Sequence, residues 1–207
     1  MQYESYNKKA YDSKRGLEMK SKKSENLKPS VEEVYRMLQT QMESVMDAGN
    51  MKVIAFTSVI DCEQKSAHVC NVAKSMVLED KKVLVIDCNV DKPKVHRYFG
   101  IEIADNESSQ IIMEVPKVPR LSFVPSTGLL NTGKIKELIE KVKDEYDIIL
   151  MDSPPAGMVN EGVKLSVIAD GTVLVVQAGK TPKALSKQMK KVVDSLNITI
   201  LGVILEK

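Results

Sequence analysis

A chain of 207 residues with 43% hydrophobic residues and no Trp is ample for one α/β domain with a tail and short for two. A formal net charge of +2 is too small to argue for nucleic-acid binding, and no apolar run or signal peptide marks a bilayer crossing or export, so the expected compartment is the cytosol. Three cysteines, Cys62, Cys70 and Cys88, have no metal-type spacing, and their odd number suits a reducing compartment in which each is a buried or half-buried, inert thiol.

Residues 1–29 read as a mobile basic tail, followed by one domain over 30–207. The tail carries eight Lys/Arg against four acids, about +4, which leaves about −2 for the remainder of a chain whose net charge is +2. Its polar composition buries too little surface to offset the entropy of ordering; most charge runs of this kind are merely solvated, and contact with an anionic membrane surface is the alternative. Ser30 then reads as a helix N-cap with Glu33 as its capping-box partner. Val31, Val34, Tyr35, Leu38 and Met42 recur at helical spacing, and Gly49 stands where a left-handed C-cap residue belongs.

The stretch Met51–Ala73 organises the chain. Val53–Phe56 is a short apolar run that suits a buried strand, and Lys65–Ser66 open a helical pattern through Ala67, Val69, Cys70, Val72 and Ala73. A strand feeding a helix through a loop that ends in Lys-Ser is where a phosphate-binding loop sits. Such a loop needs backbone N–H groups, glycines able to take φ > 0, a Lys for phosphates and a hydroxyl for Mg²⁺. The Lys and the hydroxyl are present and the glycines are not.

Further on, VLVIDCNVDKP is a continuous apolar run ending in Asp87, as expected of a parallel strand whose carboxyl end faces a ligand crevice; a helix-capping Asp is the alternative. Residues 100–120 are weakly patterned. Leu121–Pro125 reads as a short strand, Lys134–Val142 as an amphipathic helix, and Tyr146–Asp152 as a long buried strand that Pro154 and Pro155 stop. Gly171–Gln177 and Ile200–Leu205 are two more strands, with a helix over Pro182–Leu196 between them. Strands alternating with helices at this spacing predict a three-layer α/β/α sandwich with a mostly parallel sheet.

The ordered blocks TSxxxxxxKS, VLVIDCNVDKPKVHRYFG, YDIILMDSPP and ADGTVLVVQAGKT resemble the bacterial tyrosine kinase domain of capsule and exopolysaccharide systems. That family belongs with the MinD/ParA-like deviant P-loop ATPases, and the likeness runs from Ser30 to Lys207. The resemblance implies ATP or ADP with Mg²⁺ as cofactor. Lys65 would contact phosphates within a loop of Cys62, Gln64, Lys65, Ser66 and Ala67, and Ser66 would hold Mg²⁺. Asp87 would assist removal of a tyrosine hydroxyl proton or order the metal's water, and Asp152 would act on the metal's water shell. Glu33 and Arg36 match two positions of a helix motif, ExxRxxR, that joins subunits in a ring. The implied partner is a membrane-anchored polysaccharide co-polymerase or adaptor, which would bring the chain to the inner face of the cell membrane.

Departures from the family pattern concentrate on the chemistry. Asp61–Ala67 stands where the family reads roughly PGEGKST, Asn89 replaces a second acid, Glu161 takes the place of an Asp after the Pro pair, and Glu206 takes that of an adenine-reading Asn. Gln39 replaces the last Arg of the ring motif, and the family's tyrosine-rich C-terminal segment has no counterpart before Lys207. If two loop residues had to be left-handed without glycine, the cost would be roughly 2–4 kcal/mol. These departures favour a kinase-like regulatory protein with impaired nucleotide binding, a monomer or small oligomer acting through partner contacts. Two other readings stay open: an active tyrosine autokinase with acceptors at Tyr3, Tyr6 and Tyr11, and a MinD/ParA-type ATPase.

Overall fold

The inner apolar runs become strands covered on both faces, whereas the run at 200–206 forms an edge strand that leaves Val203 and Leu205 exposed. The structure, a computed structural model, describes residues 30–103, 112–126 and 131–206, and the expected tail at 1–29 lies outside them. Among the described residues seven strands form one sheet: β1 (Val53–Ser58), β2 (Val83–Asp87), β3 (Met113–Glu114), β4 (Leu121–Val124), β5 (Ile148–Asp152), β6 (Gly171–Gln177) and β7 (Ile200–Glu206), in the order β3-β4-β2-β5-β1-β6-β7. All pairings are parallel except β3 with β4. The described residues also form the helices α1 (Val31–Gly49), α2 (Lys65–Leu78), α3 (Val95–Phe99), α4 (Thr132–Val142), α5 (Asn160–Ile168) and α6 (Lys183–Ser195).

The alternation of side chains along each strand divides the core in two. Ile54, Phe56, Val83 and Val85 pack with Met42 and Met46 of α1 and with Val69, Ala73 and Met76 of α2. Ala55, Leu84, Ile86 and Ile149 pack on the opposite face with Ile135 and Ile139 of α4 and Leu165 of α5. Met189 of α6 extends that second face over Val59 and Ala156. The result is the expected three-layer sandwich. Removing β1 between β5 and β6 would separate the two halves of the sheet, so the fold and the candidate site share one central strand.

The capping box at Ser30 forms as anticipated: Ser30 Oγ accepts from Glu33 N at 3.2 Å and Glu33 Oε2 accepts from Ser30 N at 2.8 Å. The other end differs, because Gly49 stays helical and Asn50 takes the left-handed conformation at φ 50°. Asn adopts this region more readily than other non-glycine residues, so the preceding glycine was the misleading signal. Helices α3 and α5 and strand β3 had no clear sequence signal. No helix among the described residues is long and apolar enough to cross a membrane.

Candidate nucleotide site at the carboxyl edge of the sheet

Parallel pairing brings three strand ends together. Asp87 closes β2 and lies directly opposite Asp152, which closes β5, and Phe56 of β1 is Asp152's partner on the other side. The chain then leaves β1 at Ser58 and re-enters helix at Lys65, and the first two residues of α2 reach Asp152.

The side chains meet. Lys65 Nζ forms a buried ion pair with Asp152 Oδ1, and Ser66 Oγ donates to Asp152 Oδ2 at 2.6 Å. Asp87 is fully buried and accepts three backbone N–H bonds, from Asn89 at 3.1 Å, Lys94 at 3.1 Å and Val95 at 3.2 Å. Burial, reinforced by the charge of Asp152, nevertheless pushes its carboxyl up to about 7. Asp87 also bonds the first turn of α3, so the capping alternative is realised at a residue that lies opposite Asp152.

The loop that precedes Lys65 is held from the far end of the sheet. Cys62 Sγ donates to Glu206 Oε2 at 3.0 Å, Gln177 Nε2 donates to the same oxygen at 3.3 Å, and His68 Nε2 lies 2.9 Å from Glu206 Oε1. Tyr35 OH, from α1, lies 2.9 Å from His68 Nδ1 and completes a chain from α1 to β7. Burial followed by the bond to Glu206 raises the Cys62 thiol to about 11, so this cysteine is inert, as expected. Burial acts to raise the Glu206 carboxyl, but bonds from Cys62, His68 and Gln177 outweigh it and hold the group below its ordinary value. Sequence reasoning placed Glu206 at an adenine position and gave His68 and Tyr35 no site role. Their contacts span 138 and 33 residues, and no local motif signals them.

The backbone of the loop corrects one expectation. None of Asp61, Cys62, Glu63 and Gln64 has positive φ, and Gln64 is ordinary right-handed at φ −90°. The left-handed cost anticipated for the missing glycines is therefore not incurred; the loop follows a different path, with Lys65 N directed at Cys62 O at 3.4 Å.

Other sequence-singled residues fall away from the acids. Glu161 is exposed on α5 beside Lys164, 3.5 Å away. Glu33 is occupied by its capping box, Arg36 is exposed, and no ion pair joins the two among the described residues. Gln39 is buried against α2, accepting from Ser75 Oγ and donating to Glu43 Oε1 at 3.2 Å, so it points inward rather than toward a neighbour.

The residues present suit a magnesium nucleotide in part. Ser66 Oγ and the Asp152 carboxylate are hard oxygen donors of the type Mg²⁺ takes, and Lys65 supplies a cation for phosphate. Gln64 gives α2 no side-chain cap, so the N–H groups of Ser66 and Ala67 have no intrahelical partner, the chemistry by which helix N-termini take phosphate. The hydroxyls of Ser58 and Ser153, at the ends of β1 and β5, are buried without a hydrogen-bond partner among the described residues, as fits a site that takes a further polar group.

A family model described as ATPase MipZ matches residues 52–176, from the start of β1 to near the end of β6. The chain belongs to the ATPase MipZ family. Among the curated relatives of this MipZ-family chain, tyrosine-protein kinase YwqD of Bacillus subtilis (strain 168) is 29% identical over 188 residues, covering 84% of this chain and 79% of that protein. Succinoglycan biosynthesis transport protein ExoP of Rhizobium meliloti (strain 1021) is 25% identical over 193 residues, which are 84% of this chain and 25% of ExoP. The kinase domain of the Escherichia coli tyrosine kinase ETK superposes with a TM-score of 0.73 at 21% identity, covering 86% of this chain and 75% of that domain. The homologues are thus bacterial tyrosine kinases, and the sandwich is the MinD/ParA-like P-loop fold that the ordered blocks imply.

Proposed function

We propose that this MipZ-family chain is a tyrosine-kinase-like P-loop protein of capsular or exopolysaccharide biosynthesis that binds nucleotide weakly and acts through a membrane-anchored co-polymerase or adaptor. The carrying observation is that its loop groups already hold protein partners: Lys65 and Ser66 are both on Asp152, and Cys62 is on Glu206. An incoming phosphate must displace these contacts, and no glycine in Asp61–Ser66 lets the backbone open at low cost. The kinase relatives and the biosynthetic name of ExoP support the setting. A soluble domain of this kind would reach the inner membrane face as a peripheral component, and the inward-facing Gln39 supports a monomer or small oligomer.

Isothermal titration with Mg²⁺-ATP and Mg²⁺-ADP tests this reading. The expected dissociation constant is about 100 μM or weaker. A low-micromolar value overturns it.

One observation favours a second reading, an active tyrosine kinase. Asp87 has its carboxyl raised to about 7, which suits a proton acceptor at neutral pH, and it lies opposite Asp152, which Lys65 and Ser66 contact. In that case Lys65 and the N–H groups of Ser66 and Ala67 would hold the phosphates, and Ser66 and Asp152 the metal. Bound Mg²⁺-ATP would supply the phosphoryl group and neutralise its charge. Incubation with Mg²⁺-ATP followed by phosphotyrosine mapping separates the two; label on Tyr3, Tyr6 or Tyr11 would establish the kinase.

A further inference from the structure

At the opposite, amino edge of the sheet the chain repeats a tripeptide, Val115-Pro116-Lys117 and Val118-Pro119-Arg120. Each copy is one tight turn. Val118 N donates to Val115 O at 3.2 Å and Leu121 N to Val118 O at 3.3 Å. Lys117 and Arg120 occupy the third turn position with φ 63° and 65°. Proline second and positive φ third define a type II turn, whose third position favours glycine. The chain instead places its two cations at both strained positions. Backbone held in a sparsely populated region by surrounding structure is a recurrent mark of ligand-clamping segments.

The double turn borders an open groove of about 690 Å³ lined by Lys82, Glu114, Pro116, Lys117, Val118 and Arg120. Lys82 precedes β2 and Arg120 precedes β4, so the groove lies across the sheet from the acids. Among the described residues that line it, three cations face one acid, Glu114. Arg120 is aimed by a bond from Nη1 to Asp80 O at 2.7 Å, and Lys82 Nζ stands 4.8 Å over the Tyr146 ring, so two of the three cations are positioned before any ligand arrives.

We propose that this groove docks an extended acidic segment of a protein partner. The charge balance selects an anionic occupant, and the proline and valine walls between the cations suit the apolar side chains of a peptide. A concave site with Glu114 inside it disfavours a flat anionic membrane. The site is independent of whether nucleotide binds at the other edge.

The test is fluorescence anisotropy of the full chain with a labelled nonapeptide of repeating Glu-Glu-Leu. Lys117→Glu is expected to weaken binding about tenfold, whereas Lys191→Glu, the same charge change on exposed α6, leaves it within about twofold. Lys117→Gly separates docking from structure: it weakens binding while raising Tm by about 2–4 °C through relief of the left-handed backbone. Equal losses from Lys117→Glu and Lys191→Glu, or a Lys117→Gly variant that keeps full affinity, would overturn the proposal. So would phosphatidylserine vesicles or a uronic-acid oligosaccharide binding more tightly than the peptide through Lys117.

Discussion

Two loops of this chain lack glycine where a family pattern or a turn type calls for it, and they answer the lack in opposite ways. Asp61–Gln64 avoids the left-handed region altogether and ties itself down through Cys62, Lys65 and Ser66. Val115–Arg120 keeps the turn geometry, holds Lys117 and Arg120 at positive φ, and leaves their side chains at the surface. A missing glycine is therefore not in itself strain. It signals either a rerouted backbone or a strained one, and only φ separates the two cases.

The contrast breaks most visibly at the anchor of the first loop. Lys65→Met leaves Asp152 buried and without its cation, and is expected to destabilise the fold by about 3–5 kcal/mol in urea denaturation. A smaller loss would show that the loop is held chiefly by the Cys62 side.

Next in size is the neighbouring acid. Asp87 takes up its proton near 7 in the folded chain and near its ordinary value of 3.8 when unfolded. Between those values the folded state binds more protons, so this contribution to stability is complete below about pH 4 and is lost as pH rises through about 7. Asp87→Asn should therefore gain about 1–3 kcal/mol relative to the parent at pH 8 compared with pH 5. A pH-independent difference would mean that Asp87 is not the titrating member of the acid pair.

The smallest effects sharpen the comparison directly. Lys117→Gly should stabilise by about 1 kcal/mol, because it removes left-handed strain. Cys62→Gly with Gln64→Gly should give no such gain and lose about 1 kcal/mol with the Glu206 bond. Paired thermal melts check both; gains of equal sign in the two loops would erase the distinction.

Long apolar runs made β1, β2, β5, β6 and β7 legible; β1, β2 and β5, buried on both faces, need no alternation to be recognised, whereas β7 keeps its apolar run although Val203 and Leu205 are exposed. Helix α3 has five residues and β3 two, too few for any period to show, and β3 lies in the weakly patterned stretch. Lys65, Ser66, Asp87 and Asp152 were legible because each ends or follows a recognisable element at one sheet edge. The Cys62–Glu206–His68–Tyr35 chain was not, because four distant elements contribute one residue each. Nor was the inward turn of Gln39, which depends on Ser75 across a helix interface.

On the proposed reading of weak nucleotide binding, the ion pair between Lys65 and Asp152 is a thermodynamic gate. A phosphate would engage the ammonium only in the fraction of molecules in which the pair has opened, and the apparent affinity would fall by that fraction. If about one molecule in a hundred is open, an intrinsically micromolar site behaves as one near 100 μM. A partner that stabilises the open arrangement, with no contact to nucleotide at all, would restore the difference by shifting this population alone.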